Sequence, residues 1–196
     1  MKFKDIQPSV IELPPGQQLF RVQRTRALPH SVRLNGITLP PTGLQTGRFC
    51  LPDEPTAYLA DSELTALYES VFRREVHSRN LSELASRSML EFTTRKTIRL
   101  ADLRPLAESY PFLQAQRIAM TQAFAQECRA HLLDGILYSS AQHPQHTCVA
   151  LFASGIAPLR KVTAQPLMQP GTRRLLACVV DAARRSGVPV LDDMPA

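Results

Sequence analysis

Apolar positions recur along this chain in short runs, separated by turn formers in the first quarter and by polar stretches later. Up to residue 47, Pro8, Pro14-Pro15-Gly16, Pro29, Pro40-Pro41 and Gly43 interrupt every apolar piece, so long helices are not expected there. Leu19-Phe20-Arg21-Val22 reads as a strand, and so does Ala57-Tyr58-Leu59-Ala60 after the turn at Pro52–Pro55. Asp61-Ser62-Glu63 then supplies cap-type and acidic residues for a helix start. Leu64, Leu67, Tyr68, Val71 and Phe72 follow at helical spacing, which predicts one amphipathic helix ending near Val76.

Residues 77–96 are polar and serine-rich and predict no clear element. Thr97-Ile98-Arg99-Leu100 reads as a short strand. A longer helix is expected from about Phe112 to Leu133, with Ile118, Ala125, Cys128 and Leu132 on one face and Gly135 suited to a left-handed cap. Ile136-Leu137-Tyr138 and Cys148-Val149-Ala150-Leu151-Phe152 read as two further strands around a loop with Pro144. One more helix is expected over roughly Gly171 to Arg185, ending at Ser186-Gly187.

Mixed strands and helices with irregular connections predict a single α+β domain over residues 1–196, built on a small, mainly antiparallel sheet flanked by helices. The motifs described below fall within about 18–155, which leaves 156–196 as a strand/helix extension. A length of 196 residues fits one domain with its own core. No Rossmann glycine fingerprint is present.

Composition, 44% apolar and 20% charged, is that of a globular protein. No apolar run reaches the ~18 residues of a membrane span. Met1-Lys2-Phe3-Lys4-Asp5 is not followed by the apolar stretch of a secretory signal, so a cytoplasmic protein is expected. Cys50, Cys128, Cys148 and Cys178 are widely spaced and give neither a zinc signature nor a disulfide framework. The H-x-x-H of His143 and His146 surrounds Pro144, which argues against a helix presenting both to a metal, and no metal site is expected. The net charge of +6 favours anionic partners, with arginine the main cation. Arg173-Arg174 and Arg184-Arg185 read as a solvated helix face rather than a nucleic-acid module.

Arg48 lies ahead of a strand, Tyr58 on it, Glu69 on the edge of the following helical stripe, and Ser140 at the end of a later strand. Such a set suits an anionic ligand with a flat ring. Arginine holds phosphate, an aromatic stacks on a cationic ring, a carboxylate stabilises positive charge developing at a sugar carbon, and a hydroxyl bonds a sugar oxygen. Composition alone does not select these four among many Arg, Glu and Ser residues.

Their order and surroundings do. Gly47-Arg48-Phe49, then Tyr58-Leu59-Ala60-Asp61-Ser62 and Thr65-Ala66-Leu67-Tyr68-Glu69, resemble the first half of a RES domain. Asp134-Gly135-Ile136-Leu137-Tyr138-Ser139-Ser140 resembles the second half, and Cys148-Val149-Ala150-Leu151-Phe152 the strand that ends the motif. By this resemblance Arg48, Glu69 and Ser140 are the name-giving catalytic residues, register favouring Ser140 over Ser139, and Tyr58 is the active-site tyrosine. Arg21 stands where such domains often carry an arginine; it reads either as a second phosphate contact or as a surface strand arginine.

The resemblance further implies a fold like that of ADP-ribosyltransferase toxins and cleavage of the nicotinamide–ribose bond of NAD⁺ by water or phosphate. NAD⁺ would be the substrate, with inorganic phosphate a co-substrate in the second case and no resident cofactor. Arg48 would bind the pyrophosphate, Tyr58 the nicotinamide, and Glu69 and Ser140 the adjoining ribose. It implies a toxin neutralised by an Xre-type antitoxin, with DNA contacted only through that partner; a homodimer is compatible with it. Cys50 departs from the pattern, which often has Asn there. That departure keeps alive an impaired fold that binds NAD⁺ or a protein without turnover. Direct nucleic-acid binding ranks below both.

Overall fold

A computed structural model describes residues 3–44, 46–106, 109–110 and 118–194. It contains strands β1 (Ser9–Leu13), β2 (Gln18–Arg24), β3 (Val32–Leu34), β4 (Ile37–Leu39), β5 (Ala57–Ala60), β6 (Arg79–Asn80), β7 (Arg87–Thr94), β8 (Ile98–Asp102), β9 (Gly135–Ser139), β10 (Thr147–Leu151), β11 (Leu159–Pro166) and β12 (Val190–Leu191). The helices are α1 (Phe3–Ile6), α2 (Glu63–Ser70), α3 (Leu81–Ala85), α4 (Ile118–Ala130), α5 (Ala153–Ile156) and α6 (Ala177–Ser186).

The class is α+β, and the sheet is larger than expected. Eight strands lie in the order β1-β8-β9-β10-β5-β2-β7-β11. Within this sheet, among the described residues, only the β8–β9 pair is parallel; the pairs β1–β8, β9–β10, β10–β5, β5–β2, β2–β7 and β7–β11 are antiparallel. Strand alternation sends successive side chains to opposite faces. One face carries Val22, Ala60, Tyr138, Cys148 and Ala150 into a core shared with α2, α4 and α6. The other buries Leu19, Leu59, Phe92, Leu137, Val149 and Leu151 against Ile37, Leu39 and Ile156.

Several boundaries differ from the sequence expectation. The stretch 77–96 holds β6, α3 and the eight-residue β7, which pairs with β2 on one side and β11 on the other. Both faces of β7 are covered in part, so Met89, Leu90 and Phe92 are buried without the clean alternation of a half-exposed strand. Helix α2 stops at Ser70 rather than near Val76, because the Val71 and Phe72 N–H groups both donate to the Leu67 carbonyl, at 2.7 and 2.9 Å. Val71 and Phe72 remain in the core all the same.

The expected start of the long helix at 112–117 lies outside the described residues; α4 is described from Ile118 and ends at Ala130. The left-handed residue after it is Leu132 (φ 58°), not Gly135, and Leu132 is exposed rather than part of the apolar face. Gly135 instead opens β9, where a Cβ would collide with the Ala150 carbonyl oxygen. Helix α6 begins at Ala177 rather than Gly171, and Gly187 closes it in the left-handed conformation. Among the described residues, no helix is long and apolar enough to cross a membrane.

Candidate active site

The site begins with a defect in the sheet. Across β2 and β7 seven residue pairs are in register, but β2 and β5 meet only at Phe20–Ala60. Beyond that pair the strands part, and the Arg21 guanidinium spans the gap to donate from Nη1 to the Tyr58 carbonyl at 2.8 Å. A cavity of about 250 Å³ opens there. Its wall is built from β2 (Phe20, Arg21, Val22), β5 (Tyr58, Leu59, Ala60), the Gly47-Arg48 turn, helix α2 (Ala66, Glu69, Ser70), and Tyr138 with Cys148 from β9 and β10.

Arg21 is half-buried, and its Nε is a buried donor without a partner among the described residues. Burial lowers its pKa to about 10, with the Tyr58 and Tyr138 phenols working the other way, so it is charged at neutral pH.

The Gly47–Cys50 turn that carries Arg48 is held at several points. The Cys50 N–H donates to the Gly47 carbonyl at 3.3 Å, and the Gly47 N–H donates to the Cys50 Sγ at 3.3 Å. Gln122 of α4 donates from Nε2 to the Gly47 carbonyl at 3.0 Å. The Phe49 N–H donates to the Tyr58 hydroxyl at 2.8 Å, and that hydroxyl lies 3.7 Å from the Cys50 Sγ. Cys50 thus supplies a contact that keeps the turn closed, although a thiol is a weak acceptor. Gly47 is required because the Tyr58 ring packs on it: an added Cβ would collide with the Tyr58 hydroxyl and stand 2.7 Å from two ring carbons. Burial pushes the Tyr58 phenol well above its ordinary pKa, the neighbouring Cys50 adds to this, and the Phe49 N–H opposes it.

Arg48 lies over two rings. Its guanidinium carbon is 4.9 Å from the Tyr138 ring centroid and 5.3 Å from that of Phe49. Those two rings meet at 5.2 Å. The Tyr138 phenol is buried, which raises its pKa well above the ordinary value; Cys148 pushes the same way and Arg48 opposes. Among the described residues its hydroxyl has no hydrogen-bond partner.

Glu69 enters the cavity from the last turn of α2. Its Oε1 accepts from the Ser140 hydroxyl at 2.5 Å and from the Gln142 N–H at 3.3 Å. Ser140 accepts in turn from the His143 N–H at 2.9 Å and the Gln142 N–H at 3.3 Å. Ser140 is buried and lies behind Glu69 rather than on the cavity wall. The structure therefore brings Arg21, Arg48, Tyr58 and Glu69 to one cavity and sets Ser140 one bond away.

His143 and His146 belong to the outer end of this loop. Their rings stack at 3.8 Å. His143 Nδ1 is 2.8 Å from the Thr65 hydroxyl, and His146 Nδ1 is 3.3 Å from both oxygens of Asp61, which also accepts from the Thr147 N–H at 2.8 Å. Among the described residues, no group of three or more His, Cys, Asp or Glu could hold a metal. All four cysteines are free thiols. The basic tail is partly neutralised by Arg173–Asp192 and Arg185–Asp181 pairs at 2.6 and 2.9 Å.

Sequence reasoning passed over Tyr138, Gln122 and Gln142 as site residues. Tyr138 carries a signal, since strand alternation two residues before Ser140 aims it at the α2 face. Gln122 and Gln142 carry none, because their roles depend on contacts 75 and 73 positions away.

A family model described as the RES domain matches residues 18–175, which runs past the expected end at 155 and includes β11. No curated protein matches the chain. Among solved structures, a chain in the crystal structure of the M. tuberculosis MbcT–MbcA toxin–antitoxin complex is similar, with a TM-score of 0.60 and 15% identity, over 91% of this chain and 92% of that one. At that identity the likeness is one of fold.

Proposed function

This chain belongs to the RES domain family, and from that premise we propose that it is a toxin that degrades NAD⁺ by cleaving the bond between nicotinamide and ribose. One observation carries the reading. Arg48, Tyr58 and Glu69, spread over 22 positions of sequence, converge on one cavity at the split between β2 and β5, and Ser140 bonds the carboxylate of Glu69. A fold like that of the ADP-ribosyltransferase toxins is part of the same proposal and rests on the family resemblance alone. At about 250 Å³ the cavity is smaller than the roughly 300–1,000 Å³ that enclose drug-sized ligands. It suits the nicotinamide–ribose end of a dinucleotide.

In this reading Arg48 and Arg21 hold the pyrophosphate, and the Tyr58 ring stacks on the cationic nicotinamide. Glu69, its Oε1 fixed by Ser140, turns its other oxygen to the ribose and stabilises the oxocarbenium-like transition state. The glycosidic electron pair leaves with nicotinamide, which departs neutral. Water, which gives up a proton to solvent, or phosphate then bonds the anomeric carbon. Ser140 acts by fixing Glu69 in place, so most of the rate comes from positioning and preorganised charge.

Loss of cytoplasmic NAD⁺ would arrest growth, and an Xre-type antitoxin is the partner this reading calls for. The test is induced expression of the chain alone. Falling cellular NAD⁺ and growth arrest, both absent with Glu69→Gln at equal protein level, support the reading. Arrest with NAD⁺ intact contradicts it.

A further inference from the structure

Ser140 and Tyr138 both lie near Glu69, and of the two Tyr138 borders the cavity. The Ser140 hydroxyl is committed: its proton goes to Glu69, and its oxygen accepts from the Gln142 and His143 N–H groups. Tyr138 is equally buried, with both residues 7% exposed, yet it borders the cavity. Its ring lies under the Arg48 guanidinium and against Phe49, which fixes its orientation. Among the described residues nothing accepts from or donates to its hydroxyl. A phenol on a cavity wall that makes no bond to the described residues is left to bond what fills the cavity. Because burial keeps the phenol protonated, it is a donor at neutral pH.

We propose that the Tyr138 hydroxyl, and not that of Ser140, donates a hydrogen bond to the substrate, at an oxygen of the sugar–phosphate link. Its position follows from its neighbours. Arg48, the phosphate-holding cation of the reading above, stacks on the Tyr138 ring, and Glu69, which faces the ribose, shares the same cavity wall. An oxygen bridging those two groups of the ligand passes over Tyr138. The inference rests on the NAD⁺ reading and adds a contact to it.

Tyr138→Phe keeps the ring, the Arg48 stack and the Phe49 contact and removes the hydroxyl alone. The experiment compares wild type and Tyr138→Phe in NAD⁺ affinity by calorimetry, in KM and kcat, and in melting temperature. The expected result is a fall in kcat/KM of roughly tenfold, the scale of one hydrogen bond, with weaker NAD⁺ binding and a melting temperature that is unchanged or raised. A hydroxyl that served the fold would instead lower the melting temperature on removal. Wild-type kcat/KM and affinity in Tyr138→Phe, or a fall accompanied by a lowered melting temperature, overturns the assignment. Wild type that neither binds nor consumes NAD⁺ sinks the NAD⁺ reading itself, and the Tyr138 contact with it.

Discussion

The Ser140 hydroxyl donates to Glu69 Oε1 at 2.5 Å across 71 positions of sequence, and this bond ties the end of β9 to the last turn of α2. It gives the serine a task different from that of the carboxylate it holds. Glu69→Gln removes the charge that faces the reacting sugar and is expected to lower kcat by about 10²–10³-fold. Ser140→Ala leaves the charge but frees its orientation, and a loss of about tenfold in kcat with KM nearly constant is expected. Ser140→Ala also strands the His143 N–H group, while the Gln142 N–H keeps Glu69 as acceptor, so urea denaturation should report a loss of about 1–3 kcal/mol, which Glu69→Gln does not share. Equal kcat losses in the two variants would contradict this division.

Gly47→Ala tests the packing of the Arg48 turn on Tyr58. The added methyl has no room beside the Tyr58 hydroxyl and ring, so ring or turn must move. A destabilisation of about 1–3 kcal/mol is expected, together with loss of NAD⁺ turnover as Arg48 leaves its place over Tyr138. Denaturation midpoints and steady-state rates measure the two effects separately.

Cys50 is the departure from the family pattern, and its thiol already accepts from the Gly47 N–H. Cys50→Ala removes that acceptor and should raise KM for NAD⁺ several-fold while stability falls by about 0.5–1.5 kcal/mol. Cys50→Asn offers a stronger acceptor and should match or exceed wild-type kcat/KM. If Cys50→Ala kinetics equal those of wild type, the turn is held without the thiol.

Stability should fall between neutral and mildly acidic pH. Burial lowers the pKa of His143 from the ordinary 6.5, with His146 and Arg185 adding to the effect and Asp61 opposing it. The unfolded chain therefore binds this proton more readily than the folded one. The contribution is complete above pH 6.5 and is lost as pH drops through the lowered value. Asp61 is also lowered: burial alone would raise its pKa, but bonds from Thr147 and Thr65 and the nearby His146 outweigh it, so its contribution is lost only below the ordinary 3.8. Urea midpoints from pH 7.5 to 5 should decline in wild type and decline less in His143→Gln.

The motif residues were legible because each sits where local pattern and family spacing agree. Tyr58 lies on an alternating strand, and Glu69 on the flank of an apolar helical stripe. Their convergence was not, since it depends on a sheet that parts beyond Phe20–Ala60. Strand β7 was hidden for a related reason. Arg87-Ser88-Met89-Leu90-Glu91-Phe92 has weak strand propensity, and its burial comes from β2 and β11 on either side. Gly135 was misread as a cap because sequence shows that a glycine is needed but not whether φ or space requires it; here the Ala150 carbonyl requires the space.

The most direct test of the account is NAD⁺ consumption by the purified chain, with and without inorganic phosphate, beside Glu69→Gln. The account predicts release of nicotinamide by wild type and at least about 10²-fold slower release by the variant. Dependence on phosphate would identify a phosphorylase, and turnover without it a glycohydrolase. Intact NAD⁺ under both conditions, or equal rates in wild type and Glu69→Gln, would contradict it.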